Sequence, residues 1–218
     1  MGRKSIVEIR REEFAAAAFE VLSLHGMQGT TLQRVADHTG ASKASVLHYF
    51  TSKQNLIETA LRQANATLRK EAIVLMNLSS TPWERFYGII EANFSPTTFR
   101  PEVAHSWISM CAEVPHNPQF QRIQTVIYGR LHTNLLSALM GTGASRENAG
   151  NGANTVSLLI DGLWMRCALQ INGVTREEAA TNIEAVIDKL FGNVGDRLTA
   201  RVKMAAMANA LTVNLQQS

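Results

Sequence analysis

Between Ile9 and Phe191 the apolar residues of this chain recur at intervals of three and four, and no segment alternates apolar with polar as a half-buried strand must. That periodicity restricts the chain to an all-α fold. The first segment, about Ile9 to His25, sets Phe14, Ala17, Ala18, Val21 and Leu22 on one face and stops at Gly26, a residue suited to a helix C-terminus. "TTLQ" at 30–33 places Thr30 at an N-cap with Gln33 three residues on, a capping-box spacing, so a short second helix begins there and ends at Gly40. Ser42 is placed to cap a third helix from Lys43, and Ser52 a longer fourth one to about Met76. Two short helices with a glycine in the tight turn between them have the spacing of a helix-turn-helix.

Longer helices follow. The pattern predicts them over Pro82 to Asn93, Glu102 to Val114, Gln119 to Met140, Asn154 to Ile171, and from the capping pair Thr175 and Glu178 to Phe191. "GTGASRENAGNG" reads as a connection, on the strength of its glycines and small polar residues. Residues 192–218 have helical propensity but an untidy apolar pattern, and read as an extension with no assigned role.

The chain has 218 residues, 45% hydrophobic and 18% charged, which is globular rather than disordered composition and is enough for a sizeable core. A net charge of +3 is compatible with nucleic acid without demonstrating it. Two cysteines, Cys111 and Cys167, argue against a disulfide-built fold. No apolar run reaches the ~18 residues of a membrane span and no signal region opens the sequence, so the expectation is a cytoplasmic protein. Motifs of metalloproteases, serine hydrolases and phosphate loops are absent, and "GTGASR" follows a helix where a dinucleotide loop follows a strand. No catalytic residue, no cofactor and no metal site is expected; His105, His116 and His132 are scattered, with nothing to fix their geometry.

The third helix carries the most specific chemistry. With Val46 and Phe50 turned inward and Leu47 beside them, Lys43, Ala44, Ser45, His48 and Tyr49 share the outside, a face with donors and no acid. Such groups contact phosphates and base edges in a major groove. Thr31 and Ser42 stand at helix starts, Lys53 opens the fourth helix, and Arg3, Lys4, Arg10 and Arg11 form a basic arm.

Residues 10–56 resemble the DNA-binding domain of the TetR family of bacterial transcriptional regulators, in Ala17, Gly26, Thr31, Val35-Ala36, Gly40, Ser42, Tyr49, Phe50, Lys53 and Leu56. The resemblance implies a homodimer on double-stranded operator DNA, with Lys43, Ala44, Ser45 and His48 at bases or nearby phosphates and Thr31, Ser42, Tyr49 and Lys53 clamping phosphates. Ala44, often glycine in the family, and Leu47, often tyrosine, depart from its pattern in ways that bear on which operator is read.

Residues 82–172, through "NF", "AHSW", "HNPQFQRI" and "IDGLWMR", resemble the sensor domain of the choline-responsive branch of that family, which represses glycine betaine synthesis. The resemblance implies choline, or a similar quaternary ammonium, as effector. Such a cation donates no hydrogen bond and is held by aromatic faces, each worth about 0.5–2 kcal/mol, beside an anion. Phe94, Phe99, Trp107, Tyr128 and Trp164 are the candidates, with Asp161 one turn before Trp164. A different effector, or redox control through Cys111 and Cys167, are the rival readings. In the family the last two core helices, here 154–171 and 175–191, pair with their symmetry mates. Val156, Leu159, Ile160, Leu163, Ile183, Val186, Ile187 and Leu190 supply their stripes. The division expected is a DNA-binding domain over 1–55, a ligand-binding and dimerisation domain over 56–191, and an extension over 192–218.

Overall fold

The structure, a computed structural model, describes residues 5–170, 173–192 and 195–216. Arg3, Lys4 and Ile171 lie outside the described residues. These residues form helices α1 (Ile6–Gly29), α2 (Leu32–His38), α3 (Lys43–Tyr49), α4 (Lys53–Leu78), α5 (Pro82–Asn93), α6 (Pro101–Glu113), α7 (Pro118–Gly141), α8 (Arg146–Leu169), α9 (Arg176–Phe191) and α10 (Arg197–Gln216), with no strand among them. No helix among the described residues is long and apolar enough to cross a membrane. The chain divides into two compact units, 1–67 with 105–124, and 68–104 with 125–218.

In the first unit α1, α2 and α3 close over Phe14, Ala18, Val21, Val35, Ala36, Val46 and Phe50, joined by Leu56 and Ala60 from the start of α4. The later segment docks on α1 through polar contacts: the His105 ring nitrogen Nδ1 lies 3.0 Å from the Ser23 carbonyl, and the Ser106 hydroxyl donates to the Phe19 carbonyl. Gly26 takes φ +65° and breaks α1 as expected, but one more turn follows to Gly29. The capping of α2 is one residue later than its sequence spacing indicates. Thr31, not Thr30, accepts the Arg34 amide, while Thr30 is buried with its hydroxyl on the Gly26 carbonyl and Gln33 reaches Asp37.

In the second unit α5 is enclosed over nearly its whole length, from Trp83 to Asn93, and α10 covers one side of it. The helical propensity read in residues 192–218 is realised in α10, which is packed on α5 and is not a loosely attached extension. Arg197, fully buried at the start of α10, donates to Glu184 and Asp188 of α9 and to the Tyr87 hydroxyl of α5, and Tyr87 in turn donates to Glu184 over 2.6 Å. Further along, Lys203 pairs with Glu84 at 2.7 Å and Arg176 bridges Glu91 and Asn209. The Lys203 hydrogen bond holds the Glu84 carboxyl below the usual carboxylate range, whereas burial pushes the Tyr87 phenol up. The untidy apolar pattern of α10 follows from this seat, since its inward face must supply cations as well as Ala200, Met204 and Ala208.

The glycine-rich segment before residue 154 is helical from Arg146 on, which shortens the connection expected there to residues 142–145. Ser145 caps α8 by accepting the Asn148 amide over 3.2 Å, and Gly152 is a contact glycine. A Cβ there would stand 2.8 Å from the Phe191 ring and 3.0 Å from Leu139 Cδ1, whereas one at Gly150 would meet nothing. Gly152→Ala is therefore expected to destabilise by about 1–3 kcal/mol through overpacking, while Gly150→Ala stabilises by up to about 1 kcal/mol through helix propensity. Thermal denaturation of the two variants checks the opposite signs.

Candidate nucleic-acid interface and ligand site

Helix α3 is short, and its position is fixed from both ends. Ser42 accepts the Ser45 amide at 3.0 Å, Val46 and Phe50 are buried, and the Arg11 guanidinium donates to the Tyr49 carbonyl while its Cζ lies 4.5 Å from the Phe50 ring centre. Lys43, Ala44 and His48 are exposed, as are Thr31 and Ser42. Ser45 and Tyr49 are half-buried instead of fully outward, and Leu47, expected beside the core, is 45% exposed. The exposed residues of α3 are Lys43, Ala44, Leu47 and His48; at 100° per residue, positions 44 and 48 lie opposite Val46 and Phe50, while 43 and 47 stand on the flank of that buried pair. Tyr49 packs edge-on to His48 at 5.0 Å and tilted on Phe14 at 5.6 Å. Lys53 is half-buried and its ammonium donates to the Met27 carbonyl at 2.6 Å, so one of its three donors is already engaged. Of the basic arm, Arg10 pairs with Glu13 at 2.7 Å and Arg11 is engaged as described.

In the second unit Phe94, Phe99 and Trp164 come together. The Phe94 and Phe99 rings meet edge-on at 5.0 Å, Phe99 and Trp164 edge-on at 5.5 Å, and the Trp164 indole N–H donates to the Asn93 carbonyl at 3.2 Å. Asp161 is half-buried and accepts a hydrogen bond from Tyr128, which is 43% exposed; burial raises the Asp161 carboxyl to about 6, against the lowering effect of that bond. Trp107 belongs to the first unit and is half-buried there. Sequence reasoning missed Glu71 of α4, which is buried with its carboxylate accepting a hydrogen bond from the Thr97 hydroxyl. An acid in the middle of a long amphipathic helix carries no sequence mark of burial. Among the described residues no cluster of His, Cys, Asp or Glu could hold a metal ion. Cys167 is buried in the second unit with its thiol pushed up, first by burial and then by Glu102, and Cys111 lies in the first unit. A thiol held protonated is a poor redox sensor, which counts against that rival.

A helix-turn-helix that exposes Lys43, Ala44 and His48, in a chain helical throughout its described elements, has the parts of a DNA-binding transcriptional regulator. Comparison with known proteins makes this specific. Residues 15–60 match the profile of the bacterial regulatory proteins of the tetR family, and residues 82–192 match that of the BetI-type transcriptional repressor, C-terminal. The HTH-type transcriptional regulator BetI of Burkholderia pseudomallei is 32% identical over 196 residues, which span 88% of this chain and 98% of that protein. BetI 2 of Chromohalobacter salexigens is 29% identical over 197 residues, 89% of this chain and 95% of its own length. The chain belongs to the TetR family, as a BetI-type transcriptional repressor, and it is a regulator rather than an enzyme. Solved structures share the fold: a transcriptional regulator of Pseudomonas aeruginosa, at TM-score 0.72 and 23% identity, covers 89% of this chain and 95% of its own. A regulator of Saccharomonospora viridis in complex with choline, at TM-score 0.75 and 18% identity, covers 83% of this chain and 96% of its own. The BetI-type profile ends at 192, before α10 begins.

Proposed function

We propose that this repressor controls genes for conversion of choline to glycine betaine and that choline is its effector. The observation that carries the reading is the edge-on set of Phe94, Phe99 and Trp164, three aromatic rings gathered in the region that matches BetI-type repressors. Aromatic faces are what a quaternary ammonium requires, since it has no proton to donate. The choline bound to the Saccharomonospora regulator of similar fold supports the same chemistry. Tyr128 and Asp161, of the same unit, complete the proposed site; Trp107, the other aromatic candidate from the sequence, belongs to the first unit. The proposed DNA contacts are Lys43, Ala44, Ser45 and His48 to bases or nearby phosphates, and Thr31, Ser42, Tyr49 and Lys53 to phosphates.

The domain division proposed remains 1–55 for DNA, 56–191 for ligand and dimerisation, and 192–218 as an addition, in a protein of the cytoplasm. The homodimer forms through α8 and α9. Val156, Ile160, Leu163, Ile183 and Ile187 are buried within the subunit, whereas Leu158, Met165 and Leu169 of α8 and Leu190 of α9 are exposed apolar residues that suit a partner. Effector binding acts on α4, which runs unbroken from Lys53 to Leu78, and changes the spacing of the two reading helices. A full swing from bound to released, 1:99 to 99:1, needs about 5.5 kcal/mol of preference for the released shape; a smaller preference gives graded control.

Asp161 supplies a pH test. Its folded-state value of about 6 stands above the ordinary 3.8 of an aspartate, so burial favours the neutral carboxyl. Its contribution to stability is complete below the lower value and is lost as pH rises through the upper one. Asp161→Asn is expected to raise the melting temperature at pH 7.5 and to lose that advantage towards pH 4.5. Choline affinity of the unaltered protein rises with pH from 4.5 to 7.5, as the carboxylate forms. Calorimetric titration with choline at several pH values, beside glycine betaine, checks both the effector and the sign; no saturable heat at millimolar choline refutes the effector.

A further inference from the structure

We propose that Glu71 is the counter-charge that makes the aromatic site select cations, an inference that rests on the effector reading above. Glu71 is 9% exposed, and among the described residues its partner is the Thr97 hydroxyl, itself 2.9 Å from the Ser95 hydroxyl. The other buried acids described in this unit each have a cation, Glu84 with Lys203 and Glu91 with Arg176, and so does the half-buried Glu184 with Arg197. A carboxylate taken out of water without a cation is among the most costly arrangements a fold can hold.

The segment that holds Glu71 is the one that builds the aromatic set. Phe94 and Phe99 flank Ser95 and Thr97, and Phe99 meets Trp164. In the same segment Thr98 is 6% exposed, and its buried hydroxyl has no hydrogen-bond partner among the described residues. Aromatic faces, an acid without a cation and an unpaired buried hydroxyl are together complementary to a hydroxyalkyl quaternary ammonium: charge to Glu71, methyl groups to the rings, alcohol to Thr98. Asp161 differs, being less buried and already bonded to Tyr128, and contributes less to selection. Because Glu71 is part of α4, an occupied site is also tied to the helix that begins at Lys53.

The test is titration calorimetry of the full chain with choline and with its uncharged carbon analogue 3,3-dimethyl-1-butanol, on the unaltered protein and on Glu71→Gln, Thr97→Val, Asp161→Asn and Trp164→Ala. Glu71→Gln is expected to weaken choline at least about tenfold while leaving the neutral alcohol unchanged. Its ligand-free melting temperature stays at or above that of the unaltered protein, an outcome that a merely structural carboxylate would not give. Thr97→Val produces a smaller loss of the same kind and carries the test if Glu71→Gln fails to fold. Asp161→Asn weakens choline less than Glu71→Gln does. Choline binding that Trp164→Ala abolishes and Glu71→Gln leaves intact overturns this inference alone, as does equal loss of both ligands in Glu71→Gln. No binding of either ligand to the unaltered protein overturns the effector reading, and this inference with it.

Discussion

Ala44→Glu is expected to abolish operator binding and to leave the fold untouched. Ala44 is exposed on α3 between Lys43 and Ser45, one turn before His48, and touches none of the core formed by Val46 and Phe50. A carboxylate there would face the phosphates and base-edge acceptors of a groove on a helix that otherwise presents only donors and small or apolar groups. Like charges juxtaposed across an interface cost several kcal/mol, so affinity should fall on the order of 10²- to 10³-fold. Fluorescence anisotropy with an operator fragment selected by the purified protein measures the loss, and an unchanged melting curve shows that the head is intact. Lys53→Ala gives a smaller loss with a lower melting temperature, because the Lys53 ammonium also closes α1 through the Met27 carbonyl.

Arg197→Ala is the substitution expected to cost most stability. It leaves Glu184, Asp188 and Tyr87 facing the place of a guanidinium that is 1% exposed, with Glu184 itself largely shielded. Removing one partner of a buried charge cluster costs about 3–5 kcal/mol; Asp188 is mostly open to water, which places the expectation near the lower end, about 3 kcal/mol. For a chain of this size that is a fall in melting temperature of roughly 6–12 °C. The double variant Arg197→Met with Glu184→Met should recover much of it, since the stranded charge goes too. Thermal unfolding of the three proteins decides, and recovery is the outcome that distinguishes electrostatic stranding from simple loss of packing.

The parts of this fold legible in the sequence are those governed by local rules. The apolar period of three and four fixed the fold class, and Ser42, Ser52, Thr81 and Thr175 cap helices near where the pattern begins. The errors occur where a distant residue decides. Gly152 looks like a helix breaker until Phe191 and Leu139 are seen against it. The tail looks shapeless until the acids of α5 and α9 are set opposite Arg197 and Lys203, which are 9 to 119 positions from them in the chain. Thr30 and Thr31 are adjacent and chemically alike, and only the extra turn of α1 to Gly29 decides which of them caps α2.

The same distinction runs through the candidate sites. The reading helix is seven residues long and its exposed face follows from helical geometry, apart from Leu47, whose apolar side chain suggested the core. The aromatic set joins Phe94 and Phe99 to Trp164 across more than sixty positions, and the family resemblance, not the spacing, pointed to it. Glu71 was invisible because whether an acid has a cation beside it is a property of packed helices and not of the helix that carries it.

The most direct test of a choline-responsive repressor is transcription in vitro from a promoter bearing DNA that the purified protein selects, with choline titrated into the reaction. Full repression without choline and a saturable rise in transcript as choline is added, absent with glycine betaine and lost in Trp164→Ala, is the predicted result, whether the protein leaves the DNA or stays. Repression that is indifferent to choline up to millimolar concentration would contradict the account and leave a BetI-type repressor with another signal.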